Sequence, residues 1–204
     1  MLAQLFAAAL LIPALTVPVA RPSRPVPAAP AVWSIDKGHS SVNFQIRHFV
    51  SKVRGAFADF KGTITADPDS WDNAQIDVEI ATPSITTHND RRDADLRSPN
   101  FFAVDTFPTI TFKSTRIERK GDAAKIYGNL TMRGVTRAVV LDGQFNGIQK
   151  GSGQATDRVG FDASTTINRL DYGVKWNRAV EGGGVMLGDE VKIEINVEAV
   201  RARS

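Results

Sequence analysis

The chain contains no cysteine and only three histidines. The absence of cysteine excludes thiol catalysis, disulfide bridges and cysteine-ligated metal sites. His39, His48 and His88 show none of the spacings of a metal-binding motif, so we predict no metal site and no cofactor. A domain of this length can bury enough surface to fold without disulfides, so the missing cysteines do not argue against export.

The chain also has little net charge once its first 31 residues are set aside. The formal charge of +3 comes from 25 basic and 22 acidic residues. Arg21 and Arg24 belong to residues 1–31, which contain no acid, so the remainder carries 23 basic and 22 acidic residues. This surplus is too small to attract nucleic acid, and we expect no nucleic-acid partner.

Residues 1–31 have the composition of a secretory leader. Leu5 to Val19 is almost wholly apolar but is interrupted by two prolines, and a Pro- and Ala-rich stretch follows. Such a segment is too short and too broken for a spanning helix and is typical of a signal peptide. Ala29-Pro30-Ala31 offers a cleavage site and Ala20 an earlier one. We therefore predict a leader over 1–31, one domain over 32–204 and export.

From Val32 onward apolar and polar residues alternate with a period of two. The pattern is clearest at the end of the chain, where Val191, Ile193 and Ile195 alternate with Lys192 and Glu194. It predicts half-buried antiparallel strands, about eight in all. A run near 53–65 is interpreted as one strand, and Asn146-Gly147 as a turn between strands.

Eight sequential antiparallel strands with one apolar face can form a sandwich or a closed barrel. Long first and last strands would promote aggregation as open edges, whereas pairing them closes an up-and-down barrel. We therefore predict an all-β, eight-stranded, lipocalin-like barrel. Its interior could be filled by side chains or hold one ligand.

A charged stretch runs directly into an aromatic one between residues 89 and 112. Six of the eight residues from Asp90 to Arg97 are charged, and four phenylalanines follow by position 112. We predict a short helix over 89–97, with its acids and arginines paired with each other, as a solvated collar. The rings at 101 and 102 then line an apolar pocket.

Two other functions remain open from the residues alone. The acids of the 88–97 cluster, or the Asn168–Tyr172 loop, could serve a hydrolase-like enzyme. Alternatively, the aromatic residues could fill the barrel completely and leave a structural protein. We favour a binding protein that has no catalytic residues.

Six segments, in order along nearly the whole domain, make the chain similar to the YceI-like family of secreted lipid-binding barrels. They are Trp33-Ser34-Ile35-Asp36 with His39 to Phe44 and His48; Gly55-Ala56-Phe57 with Phe60-Lys61-Gly62; Arg92-Asp93 with Leu96-Arg97-Ser98; Phe101-Phe102 with Pro108 and Ile110 to Phe112; Gly128 to Thr136; and Asn168 to Gly173. Asp95 departs from the pattern, because the family commonly has histidine there.

The resemblance implies a lipocalin-like barrel, export to the periplasm and a long apolar ligand in the barrel, either a polyisoprenoid or a fatty-acid derivative. It leaves a homodimer open, and lipid exchange suggests transient membrane contact. The residues predicted to contact the lipid are Phe44, Ile46, His48, Phe60, Ile85, Phe101, Phe102, Ile110, Phe112 and Tyr172.

Overall fold

The computed structural model describes residues 30–67, 70–179, 181 and 183–202. The predicted leader lies outside the described residues except for its last two positions. Within the described ranges the chain forms eleven strands, one α-helix and three short 3-10 turns. The strands are β1 Ala31–Ile35, β2 Ser41–His48, β3 Ser51–Phe57, β4 Phe60–Asp67, β5 Ser70–Ala81, β6 Ile85–Thr86, β7 Thr109–Lys120, β8 Ala123–Met132, β9 Val135–Gln149, β10 Arg158–Asn168 and β11 Leu187–Arg201. The helix α1 spans Asp90–Arg97, and the turns span Lys37–His39, Thr82–Ser84 and Arg169–Tyr172.

Eight of these strands close into an antiparallel barrel, as the sequence predicts. Neighbours follow the order β1-β4-β5-β7-β8-β9-β10-β11, and β11 pairs with β1 to complete the ring. Trp33 of β1 lies between Ile64 of β4 and Arg201 of β11. Neither the first nor the last strand is therefore left as an open edge.

β1 and β2 share β11 as a partner and are separated by a 3-10 turn. Ser34 of β1 lies opposite Val200, near the end of β11, and Val42 of β2 lies opposite Ile195. The Asp36 carboxylate accepts a hydrogen bond from the Gly38 amide and caps the turn. β2 then continues the sheet into β3 and the two-residue β6.

Two local predictions were wrong. The run near 53–65 is two strands, because at its centre the Ala58 and Asp59 amides donate to Ser84 instead of to a strand partner. Asn146-Gly147 is not a turn. Gly147, with φ at +116°, lies inside β9 where the register with β10 shifts, so the glycine forms a bulge in a continuous strand.

One half of the barrel interior is filled. A buried cluster there, which we call the plug, contains Ala31, Trp33, Ile64, Ala66, Trp71, Ala74, Val159 and Ala199. The ring centroids of Trp33 and Trp71 lie 5.5 Å apart, and Phe161 lies 5.2 Å from Trp71. These contacts close one end of the barrel.

The helix lies at the opposite end. The Asn89 side chain accepts a hydrogen bond from the Arg92 amide and caps the start of α1 at the predicted place. In the part of the chain that the structure describes, no helix is long and apolar enough to span a membrane.

Candidate functional site

Above the plug the barrel contains a cavity of about 880 Å³. Its walls are the inward faces of the strands, and in β11 these are Val191, Ile193, Ile195 and Val197. Lys192 and Glu194 point outward and pair with each other at 2.6 Å. The strand phase predicted from the period of two is therefore confirmed. The filled-barrel alternative holds only for the end that the plug occupies.

Eight of the ten residues predicted to contact a lipid line this cavity. They are Phe44, Ile46, His48, Phe60, Phe101, Phe102, Ile110 and Phe112. Ile85 and Tyr172 do not. Ile85 is fully buried and pairs with Phe57 in the small β3–β6 extension, and Tyr172 is 2% exposed in the 3-10 turn after β10. Both belong to the same buried cluster as the wall residues, but Ile85 lies in the β6 extension and Tyr172 in a 3-10 turn, outside the barrel strands.

Phe101 and Phe102 lie where the cavity opens. The Phe102 ring stands perpendicular to Phe57 at a centroid distance of 5.8 Å, and Phe101 packs on Trp176 at 5.2 Å. Arg133 holds this segment by donating to the carbonyls of Pro99 at 3.0 Å and Phe101 at 2.7 Å. The aromatic segment is thus fixed from outside while its rings face the cavity.

The predicted collar forms the polar side of the mouth. Asn89, Arg91, Arg92 and Asp95 are exposed and line the opening together with the buried Thr87. These polar side chains therefore lie at one end of a mostly apolar space.

The predicted ion pairs within the helix are not the contacts that hold it. Arg92 donates to the hydroxyl and carbonyl of Thr87, at 2.7 and 3.0 Å. Arg97 donates to the carbonyls of Pro83 and Ile85, at 2.8 and 2.7 Å. The arginines therefore hold α1 against the preceding segment, because backbone carbonyl groups of that segment lie within hydrogen-bonding distance of the guanidinium groups.

Asp93 is the buried anchor of the helix. Its carboxylate accepts hydrogen bonds from the Thr87 amide at 2.8 Å, the Thr87 hydroxyl at 2.5 Å and the Thr86 hydroxyl at 3.1 Å. Burial alone would raise the pKa of Asp93. The three hydrogen bonds and the nearby Arg97 outweigh it, so the pKa lies below its ordinary value.

Arg169 is a cavity residue that the sequence pattern does not predict, although it lies in the segment Asn168 to Gly173. Its side chain is buried, lines the cavity and donates to the carbonyls of Val174 at 2.6 Å, Gly188 at 2.9 Å and Trp176 at 2.9 Å. Burial lowers the pKa of Arg169, and the Asp189 carboxylate, 3.4 Å away, opposes that effect. Arg169 thereby fixes the loop after β10 against β11.

Comparison with known proteins identifies the fold and the family. The family model for the YceI-like domain matches residues 33–199. UPF0312 protein SA2479 of Staphylococcus aureus (strain N315) is 38% identical over 167 residues, which are 81% of this chain and 95% of that protein. The chain belongs to the YceI-like family.

Solved structures of other proteins have the same fold. The YceI protein of Campylobacter jejuni is 30% identical, with a TM-score of 0.68 over 77% of this chain and 90% of its own. A polyisoprenoid binding domain from Saccharophagus degradans is 18% identical, with a TM-score of 0.61 over 83% of this chain and 98% of its own. The YceI-like fold thus corresponds to the barrel and not to the predicted leader.

The acids of this YceI-like mouth have different surroundings. Asp93 is held ionised by its hydrogen bonds, whereas Asp90 and Asp95 are exposed. In the Asn168–Tyr172 loop the Tyr172 hydroxyl is buried without a hydrogen-bond partner, and burial raises its pKa. A general acid or base needs a pKa near the working pH, and the pKa values of Asp93 and Tyr172 are both shifted away from neutrality.

Asp36, His39 and Glu198 form a cluster outside the cavity that has the residue types of a metal site. Arg158 already bridges it by donating to Asp36 at 3.1 Å and to Glu198. The hydrogen bonds from His39 and Arg158 hold the pKa of Asp36 below its ordinary value. The guanidinium thus supplies the positive charge that a cation would bring, which makes this an ion-pair network.

Proposed function

We propose that this YceI-like protein is an exported carrier or sequestering protein that holds one long apolar lipid inside its barrel. The observation that carries the proposal is the cavity of about 880 Å³, apolar along its walls, sealed by the plug and open beside α1. Pockets of roughly 300–1,000 Å³ are typical of small-ligand sites. A methylene is about as large as a water molecule, ~30 Å³, so the space suits a lipid tail.

The shape and chemistry of the cavity support a polyisoprenoid or a fatty-acid derivative as the ligand. The walls offer strand residues such as Ile46, Ile110 and Ile193, which can bury an extended hydrocarbon but cannot recognise a polar pattern. The Saccharophagus degradans neighbour, described as a polyisoprenoid binding domain, supports the same class. Exposed charged groups line the mouth beside α1, where a head group would remain in contact with water.

Tail burial alone accounts for useful affinity. A chain of about twenty methylenes gains ~16 kcal/mol gross when it leaves water. Association and ordering of a flexible chain remove roughly half of this. The remainder corresponds to micromolar binding. We therefore expect several tails to be accepted with weak selectivity for the head group.

The proposal also includes export of the protein and a binding role without catalysis. The apolar stretch from Leu5 to Val19 precedes the family match, which begins at residue 33. This arrangement supports a secreted, periplasmic domain that follows a leader. Asp93, the buried acid of α1, has a pKa shifted away from neutrality, which supports a binding role over the hydrolase-like alternative.

Solvent extraction followed by mass spectrometry tests the function. The wild-type protein should release an isoprenoid or acyl chain. Ile193→Trp, which fills the cavity, should release much less. Val140→Trp is the matched control, because Val140 lies on the outer face of β9 and is 42% exposed. An empty wild-type extract, or equal lipid in the two variants, would contradict the proposal.

A further inference from the structure

The β2–β3 hairpin exposes its apolar turn beside the cavity mouth. Val50 is fully exposed, at 104% of its reference area, and Phe49 is 39% exposed. They are the two residues of the turn, because His48 pairs with Ser51. The Phe49 amide donates to the Met186 carbonyl at 2.8 Å, and His48 and Met186 both line the cavity. The turn therefore borders the opening.

Folding does not explain why these residues occupy the turn. Phe49 has φ at +50°, a conformation that costs a bulky side chain free energy. In two-residue hairpin turns such positions favour glycine, asparagine or aspartate. A Phe-Val turn thus combines an unfavourable backbone with two apolar side chains in water. Such a combination suggests a role in contact with a partner.

The flanks of the turn are basic. Residues 45–58 contain Arg47, Lys52 and Arg54 and no acidic residue, although the domain as a whole is nearly neutral. Arg47 donates to the Phe49 carbonyl at 3.0 Å, so one of these charges is held directly at the turn. Apolar side chains flanked by Lys and Arg are the pattern of elements that enter the interface of an anionic bilayer.

The size of the patch favours a bilayer over a protein partner. Besides Phe49 and Val50, the exposed apolar surface near the turn includes Val185, which precedes the Met186 that bonds Phe49. A stable protein interface buries about 800 Å² on each side, more than three side chains supply. Membrane insertion needs only a few apolar residues when basic residues add attraction to the lipid head groups.

We propose that the β2–β3 hairpin is a membrane-contact element that inserts Phe49 and Val50 into the interface of an anionic bilayer. The cavity mouth then faces the membrane, and a lipid can pass between bilayer and barrel without crossing water. The purpose of this contact rests on the proposed lipid-carrying function. The contact itself is tested with vesicles of phosphatidylglycerol and phosphatidylcholine alone.

The lack of native cysteine allows a direct test. Val50→Cys is labelled with an environment-sensitive fluorophore and mixed with vesicles of phosphatidylglycerol and phosphatidylcholine. We expect a blue shift and a several-fold rise in emission, with quenching by lipids that carry a quencher in the acyl region. Val140→Cys, labelled in the same way on the outer barrel wall, is the control and should not respond. No shift at position 50, or equal shifts at both positions, would overturn the proposal.

A turn variant separates insertion from folding. Phe49→Gly with Val50→Ser places glycine at the one turn position with a positive φ, so the fold should be retained. Vesicle binding, measured by energy transfer from tryptophan to a dansyl lipid, should fall several-fold. Lys52→Ala should lower the binding constant about fivefold, since one basic residue near an anionic surface contributes ~1 kcal/mol. The N-terminal segment is the same in all variants, so its own affinity cancels. Unchanged binding in the turn variant would contradict the proposal.

Two further outcomes are distinguishable. A blue shift at position 50 that depends on protein concentration and needs no vesicles would mean that a second copy covers the turn, and would overturn the membrane assignment. Lipid extraction on the same preparations separates this inference from the proposed function. If the protein inserts into vesicles but carries no lipid, only the proposed lipid-carrying function is overturned. If the protein carries lipid but does not insert, only the proposed membrane contact is overturned.

Discussion

At the scale of single residues, Phe102 shows how a large aromatic ring can serve binding more than stability. Its ring touches Phe57 on one side and faces the cavity on the other, so it is only partly buried. A ring enclosed by a core costs about 3–5 kcal/mol when it is cut to alanine, because a void is left behind. At Phe102 the removed ring enlarges a space that already exists.

We therefore expect Phe102→Ala to weaken binding of a fluorescent long-chain lipid about tenfold. The loss of ~60 Å² of apolar contact corresponds to roughly 1.5 kcal/mol. The urea midpoint of the lipid-free protein should change little. Ile64→Ala, in the plug and 4% exposed, is the control and should lower the unfolding free energy by about 2–5 kcal/mol. If Phe102→Ala lowers the midpoint as far as Ile64→Ala and leaves affinity intact, the ring is core.

Asp93 gives a prediction with a defined dependence on pH. Its carboxylate has a pKa below the ordinary value of 3.8 in the folded protein, so the folded state binds the proton more weakly than the unfolded state. The resulting stability is fully present above about pH 4 and is lost as the pH falls through the folded pKa. Asp93→Asn should cost ~1–3 kcal/mol at pH 7, because an amide cannot accept all three hydrogen bonds. Chemical denaturation measured from pH 7 to 3 should show that the unfolding free energy falls less steeply with decreasing pH in the variant than in the wild type. An equal fall of the unfolding free energy with decreasing pH in both proteins would contradict this account.

At the scale of elements, β11 gives the sharpest contrast between two adjacent residues. Ile195 faces the cavity, whereas Glu194 lies outside and pairs with Lys192. Ile195→Asp should lower the unfolding free energy by several kcal/mol, because it places an unpaired charge against apolar walls. Glu194→Ala should cost less than ~1 kcal/mol. Urea unfolding of both variants checks this, and equal losses would refute the face assignment.

Helix α1 shows where a sequence pattern predicts an element but not its contacts. The charged run predicts a helix over 89–97, which begins within one residue of the observed start at Asp90. The same charges also suggested ion pairs along the helix, yet Arg92 and Arg97 bond to the preceding chain. Ion pairing at i and i+4 is worth only a few tenths of a kcal/mol, so unsatisfied carbonyls nearby compete successfully for the guanidinium groups.

At the scale of the whole molecule, a period of two predicts which face of each strand is apolar. It does not predict how much of the enclosed space the side chains fill. The division into plug and cavity depends on bulky residues such as Trp33, Trp71 and Phe161 meeting at one level of the barrel, and that requires the strand register. The apolar character of Ile85 and Tyr172 is visible in the sequence, but their places outside the barrel strands, in the β6 extension and in a 3-10 turn, are not.

At this scale the start of the barrel also decides between the two predicted cleavage sites of the leader, after Ala20 and after Ala31. β1 begins at Ala31, which is 7% exposed in the plug and lies opposite Ala66 of β4. Cleavage after Ala31 would remove a residue of the first strand, whereas cleavage after Ala20 would leave the barrel intact. We therefore expect N-terminal sequencing of periplasmic protein to begin at Arg21. Signal cleavage requires small residues at the site, so Ala20→Leu should block processing and Ala29→Leu should not. An intact Met1 on a cytoplasmic pool would contradict export, and a start at Val32 would support export while refuting the argument from β1.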